Sequence, residues 1–320
     1  KEFISKYEMD SGMEKETNAP TAPDDTTNIG ENWDYSIGDA DAENQRLGEQ
    51  YQEKRAKLFD KFPEAKNKEP SDVIDRESAK GGQKDDDVKD EIAGNIPKLV
   101  VDNKIDSFNK PKELFEYMEK KRGFKIDEKL KDFDFEKVKG VLKGIDSAME
   151  VFPEAKIDSL RHVTKENFSA SARYRKIPDS PFFIDINKKY FGKQSEPFRD
   201  SALHPKNRNA FSIAAHEMGH IINYAMARME SANFYNHYED IAKSIVNKAA
   251  LDSGIKNDYE SILKFRSTIS EYADNTYKYT ETIAEAISDV FNNRSKASTA
   301  SKAVYKSLME RLNNLRKNKR

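Results

Sequence analysis

Residues 214–224, AAHEMGHIINY, hold two of the chain's five histidines four positions apart, with a glutamate beside the first. Around them Phe211, Ala214, Ala215, Met218, Ile221, Ile222 and Ala225 recur at helical spacing, and no proline interrupts the run. The spacing predicts a helix with a continuous apolar face. Four residues make slightly more than one turn, so His216 and His220 share a face and their imidazoles can reach one ion. Glu217 can then address a water on that ion. Apolar flanks at Ile213, Ala214, Ala215, Ile221 and Ile222 predict that the segment is buried, where two imidazoles and a carboxylate without partners would be costly. Gly219, just before the second histidine, leaves room for another element to come close.

Composition removes whole classes of chemistry. The chain has no cysteine, so disulfides, thiolate catalysis, iron–sulfur clusters and cysteine-ligated zinc are excluded, and any metal must be held by His, Asp or Glu. Fifty-five basic residues nearly cancel fifty-seven acidic ones, so no global charge draws the protein to nucleic acid, and none is expected as a partner. The apolar runs fall far short of the ~18 residues that a membrane span needs, and KEFISKYEMDSG at residues 1–12 lacks the apolar core of a secretory signal. No membrane association is expected, and the cytoplasm or a virion is the expected location. The basic stretch RLNNLRKNKR, residues 311–320, reads as a solvated or frayed helix end.

Texture changes along the chain. Residues 1–95 read as an extended or disordered arm: APTAPDDTTNIGENWD offers turn formers and few apolar anchors, and NKEPSDVIDRESAKGGQKDDDVKD is a charged linker. Between them, Leu47, Tyr51, Leu58 and Phe59 predict one short helix. Such a helix cannot make a core alone, so it is expected to dock on the rest of the chain or on a protein partner, with Trp33 as an anchor. Residues 96–320 read as the folded domain. Val138, Val141, Leu142, Ile145, Met149 and Phe152 predict a packed scaffold helix over residues 134–152, ended by Pro153. NFSASARYRKI and PFFIDIN then read as short strands. The expected class is α+β, mostly helical, with a small sheet.

A metal bound by His216 and His220 requires a third protein ligand and one open position if it is to be catalytic. His162, His204 and His237 stand in unpatterned settings, so a carboxylate is the natural third. ETIAEAISDVF, residues 281–291, supplies Glu281, Glu285 and Asp289 at steps of four on one helical face. Like charges stacked at that spacing destabilise a plain helix, so the row is easier to explain if a cation sits at one end. The other reading of the row is an ordinary solvated acidic stripe.

HEMGH, followed by SEYADN and ETIAEAI, resembles the zincin metallopeptidases, and within them the group of anthrax lethal factor and Pro-Pro endopeptidase. The likeness covers roughly residues 134–310. It implies a zincin-like domain that binds Zn2+ and hydrolyses a peptide or protein substrate. By that resemblance His216, His220 and Glu281 are the metal ligands, Glu217 is the general base, and Glu285 orients a ligating imidazole. Tyr272 is the phenol that hydrogen-bonds the water on the zinc or the developing oxyanion. The nine-residue step from Tyr272 to Glu281 leaves Tyr277 and Tyr279 as other candidates for the phenol. EAISDVF also resembles the ligand segment of thermolysin, which would make Glu285 the ligand and Asp289 its supporting carboxylate.

In this reading PFFIDIN forms the sheet edge beside the cleft, where an extended peptide can add as a strand. Asp185 is then either a specificity element at the cleft or a solvated strand residue. A weaker likeness to the C-terminal parts of phage and prophage head-associated proteins supports a second reading, a virion-structural or interaction protein that keeps a zincin-like domain with little or no catalysis.

Overall fold

The computed structural model describes Tyr35–Ser36 and residues 101–318, other than 165–167, 175–179, 201–202, 232–233 and 276–277. The expected arm of residues 1–95, with its short helix, its Trp33 anchor and its charged linker, lies outside these residues apart from Tyr35–Ser36. The described part is mostly helical with a small mixed sheet, an α+β architecture.

The scaffold helix forms as its pattern requires. After two leading helices, α1 (Lys104–Ser107) and α2 (Pro111–Arg122), α3 runs from Phe135 to Val151. Asp134 caps it by accepting a hydrogen bond from the Lys137 N–H, and Pro153 stops it. Val138, Val141, Leu142 and Ile145 are fully buried. The helix of the two histidines, α5, spans Ala210–Glu230 after the single turn α4 (Lys188–Phe191). Asn209 and Ser212 close a reciprocal capping box at its start.

Glycine decides how near the helices come. A Cβ on Gly144 of α3 would lie 2.7 Å from the Phe211 carbonyl oxygen of α5. The helix α9, Tyr279–Asn293, lies on another side of α5. There a Cβ on Gly219 would lie 2.7 Å from the Cα of Ala284. The room expected at Gly219 is thus filled by the backbone of the acidic helix. Between α5 and α9 in the chain run α6 (Phe234–Asp252), α7 (Tyr259–Ser267) and α8 (Glu271–Asn275).

The sheet has the order β1–β4–β5–β3–β2, with β1 at Tyr35–Ser36, β2 at Lys125–Ile126, β3 at Ile157–Val163, β4 at Ala170–Tyr174 and β5 at Phe182–Asn187. β5 runs parallel to β3 and antiparallel to β4. PFFIDIN is therefore an interior strand and not the edge beside the cleft that the peptidase reading expected. All six residues of β5 are buried, Asp185 included. Arg161 on β3 and Arg173 on β4 flank Asp185 at 2.7 and 2.6 Å, so its charge is neutralised inside the sheet. Asp185 is neither a cleft residue nor a solvated one. The strand beside α5 is β4, which β1 covers only at Arg173 and Tyr174.

The register of β4 says which of its backbone groups are open. The Asn187 N–H donates to the Ser169 carbonyl, and Ala170 pairs with Ile186. In an antiparallel ladder the bonded positions alternate, so Ala170, Ala172 and Tyr174 turn their peptide groups away from β5. Tyr174 is covered there by β1.

The basic end of the chain departs from a frayed terminus. Helix α10, Thr299–Asn318, buries Val304, Tyr305, Leu308 and Leu312. Arg311 pairs with Glu230 at 2.5 Å and Arg316 with Glu154 at 2.7 Å. These arginines fasten the last helix to the ends of α5 and α3.

Substituting Gly219→Ala should lower stability by about 1–3 kcal/mol, although alanine is the better helix former, because the added methyl meets backbone that cannot move aside alone. Thermal unfolding of the two proteins checks this.

Candidate functional site

The pair of histidines and the acidic row meet where α5 and α9 touch. Glu281 Oε2 lies 3.4 Å from His216 Nε2 and 3.3 Å from His220 Nε2. One ligand atom from each of these residues lies within 4.8 Å of the others. His220 and Glu281 are buried beneath the cleft, while His216 is partly open to it. Glu285, one turn on, reaches the far nitrogen of the same ring: its Oε1 is 2.7 Å from His216 Nδ1. The third acid of the row turns elsewhere. Asp289 accepts from Asn293 Nδ2 and from the Ser298 N–H, tying α9 to the start of α10.

The start of α9 is held so that Glu281 arrives in place. Glu239 of α6 accepts hydrogen bonds from the N–H groups of Tyr279 and Thr280, putting a carboxylate at the helix N-terminus. The buried guanidinium of Arg266 bonds Thr282 Oγ1 at 2.8 Å and the carbonyls of Ala273 and Lys278. Sequence reasoning found neither residue. Each acts across a sequence separation that has no period.

Glu217 projects from α5 towards the sheet, and its Oε2 accepts the outward N–H of Ala172 on β4 at 2.7 Å. A cleft of about 380 Å³ opens between β4, α5 and the loop before α5. His216, Glu217, Tyr272 and Glu285 line it, and so do His204 and Arg208. His204, read above as unpatterned, is part of the site: its Nδ1 is 3.1 Å from Glu285 Oε1, and its ring lies 5.2 Å from that of Tyr272. Among the tyrosine candidates, Tyr272 faces His216 at a ring separation of 6.2 Å. Tyr279 instead stacks under Arg266, and Tyr277 lies outside the described residues. No signal in the sequence marks His204 or Arg208, since both stand in a loop.

The charges of this cluster respond to one another. Burial opposes a charge on His216, but Glu281 and Glu285 outweigh it and hold the imidazole pKa well above its ordinary value. Burial likewise works against a charge on Glu285, yet the bonds from His204 and His216 hold its pKa down to about 2. Glu281 is held lower still by the two histidines. For Glu217 burial wins, with His216 and His220 opposing it, and the pKa lies above the ordinary carboxylate value. The charge on Glu281, and burial after it, push the Tyr272 phenol well above its usual range, so it stays protonated and able to donate.

The donor set fits a cation. Glu281 Oε2 is buried and has no well-formed hydrogen bond, although two ring nitrogens face it. Bonds of about 2.0–2.1 Å to a tetrahedral zinc put ligand atoms roughly 3.3–3.4 Å apart. That is the spacing of Glu281 Oε2 from both Nε2 atoms. Glu285 occupies the place from which a carboxylate orients a ligating imidazole.

No protein-family model matches this chain, and no curated protein or solved structure matches it either.

Replacing Glu285 with Gln should bring the His216 pKa of the metal-free protein down towards the ordinary imidazole value, because one of its two charge partners is lost. An NMR titration of the His216 ring proton in both proteins measures the shift.

Proposed function

We propose that the chain is a zinc-dependent endopeptidase with a zincin-like catalytic domain. The observation that carries this reading is the position of Glu281 Oε2, 3.4 and 3.3 Å from His216 Nε2 and His220 Nε2, as two ligands of a tetrahedral zinc would be, with Glu217 and Tyr272 on the cleft above them. Glu281 is preferred to Glu285 as the third ligand, since Glu285 meets the outer nitrogen of His216 and Asp289 meets no histidine.

A zinc held by His216, His220 and Glu281 would supply Lewis-acid polarisation of the scissile carbonyl and a more acidic water. Glu217 takes a proton from the attacking water and later passes it to the leaving amine; its raised pKa brings it nearer the working pH of such a base. Tyr272 donates its hydroxyl proton where negative charge develops on the carbonyl oxygen, typically worth about 3 kcal/mol. His204 and Glu285 hold the His216 ring in one orientation. The substrate is an extended peptide laid beside the start of β4, where the outward groups of Ala170 border the cleft and can make main-chain bonds irrespective of sequence.

Two sets of measurements test this. Purified protein should bind zinc one to one and cleave members of a peptide library, with cleavage lost to a chelator. Glu217→Gln should keep the zinc and lose about 10²–10⁴ in turnover. His216→Ala and His220→Ala should lose the metal. Stoichiometric zinc without cleavage of any peptide would leave an architectural role. Full activity in Glu217→Gln would refute the assigned base.

Acidity supplies a further check. In the metal-free protein the contribution of protonated His216 to stability is present below the ordinary imidazole pKa and fades as the pH rises through its raised value. Zinc must displace that proton, so its affinity rises with pH. The increase in Tm on adding zinc should therefore grow between roughly pH 6 and pH 9, as scanning calorimetry would show.

A further inference from the structure

Arginines of this fold are almost all spoken for. Arg122 pairs with Asp146, Arg161 and Arg173 with Asp185, and Arg266 with carbonyl oxygens. Arg208 differs. Its only hydrogen bond is made by its backbone, from the N–H to Asp200 Oδ1 at 2.8 Å, and among the described residues no carboxylate or carbonyl accepts from its guanidinium. Yet it is half-buried in the wall of the cleft, close enough to Glu285, Glu217 and Tyr272 to feel their charges, and burial draws its pKa down. An arginine remains charged in such a place, so the cleft presents a partly desolvated cation with free donors.

The position is built into the loop. Asn292 Nδ2 donates to the Asn207 carbonyl, and Asn207 and Asn209 bond the side chains of Asn293 and Asn292. Asn207 takes a positive φ of 65° to make this turn. The last turn of α9 thus clamps the loop, and the loop aims Arg208. A second groove adjoins the cleft, with Arg208 and Phe198 lining both. Arg294 and Lys143 line that groove, Lys143 paired with Asp106, and its one acid, Glu136, is paired with Lys139. Open space thus lies on both sides of Arg208, whereas capture of a terminal carboxylate needs a closed end.

We propose that Arg208 is the specificity determinant of the cleft, binding the carboxylate of an Asp or Glu side chain in the substrate within a few residues of the scissile bond. This rests on the peptidase reading and names its substrate class: internal sites in acidic peptide segments.

The test uses quenched fluorescent peptides in which each position around the cleaved bond carries either Glu or its isostere Gln. Wild-type protein should show a Glu-over-Gln ratio in kcat/KM of roughly tenfold to a hundredfold at one position, the range supplied by one hydrogen bond between charged groups. Arg208→Gln should bring that ratio to about one, and Arg208→Lys should restore part of it. Zinc content and a melting curve verify that each variant is folded. Should Arg208→Gln fail to fold, the wild-type ratio and the lysine variant decide. The proposal falls if the wild type has no acidic preference, or if the preference survives Arg208→Gln. An equal loss on Glu and Gln peptides would also sink it, since that marks a donor to the reacting oxygen. Peptides cleaved without acidic preference defeat this inference alone; absence of chelator-sensitive cleavage of every peptide defeats the peptidase reading and this inference with it.

Discussion

Two helices that touch backbone to backbone set everything in this site. At Gly219 the surface of α5 is bare enough for Ala284 of α9 to come within what would be a methyl's distance. That approach carries Glu281 and Glu285, one turn apart on α9, onto His216 and His220, one turn apart on α5. Both pairs repeat at the same helical rise, so close contact at one point aligns two. A side chain at Gly219 would push the carboxylates away from the imidazoles, which would then be left buried and unmatched. The other small contacts, at Gly144 against Phe211 and Ala214, seat α5 on the scaffold helix by the same means.

Charge burial gives the cluster its chemistry. Glu281, Glu285 and His216 lie together in a largely buried place, where the interactions among these groups and the neighbouring histidines outweigh the desolvation that would otherwise neutralise them. The division of labour follows from which ring nitrogen each carboxylate meets. Glu281 faces the Nε2 atoms of both rings, and Glu285 faces the Nδ1 atoms of His216 and His204. The surrounding anchors serve this arrangement at a distance: Glu239 caps α9, Arg266 binds the chain before it, and Asn292 with Asn293 holds the loop of His204 and Arg208.

Alternation along PFFIDIN marked a strand, but its place at a sheet edge was expected only from the peptidase reading, and the strand is interior. Period two says that successive side chains face opposite sides of a sheet, but it does not say whether the second side meets water. Phe183 is covered by the guanidinium of Arg161, and Asp185 is neutralised between Arg161 and Arg173. A polar residue in a strand can thus be an interior one when its partners come from neighbouring strands. The strand beside the cleft is β4, whose residues alternate just as plainly and whose Ala172 N–H meets Glu217.

Helical periodicity alone was enough to locate α3, α5 and α9, and the shared face of His216 and His220 follows from the rise of a helix whatever surrounds it. The acidic row was equally visible, because Glu281, Glu285 and Asp289 repeat with that period. Which of the three would meet an imidazole was not legible: that depends on where α9 crosses α5 and on the pull of Ser298 and Asn293 on Asp289. His204, Arg208, Glu239 and Arg266 were invisible for the same reason. Their roles come from contacts between segments far apart in the chain, and pairing at that range leaves no local pattern, since only packing in three dimensions brings the partners together.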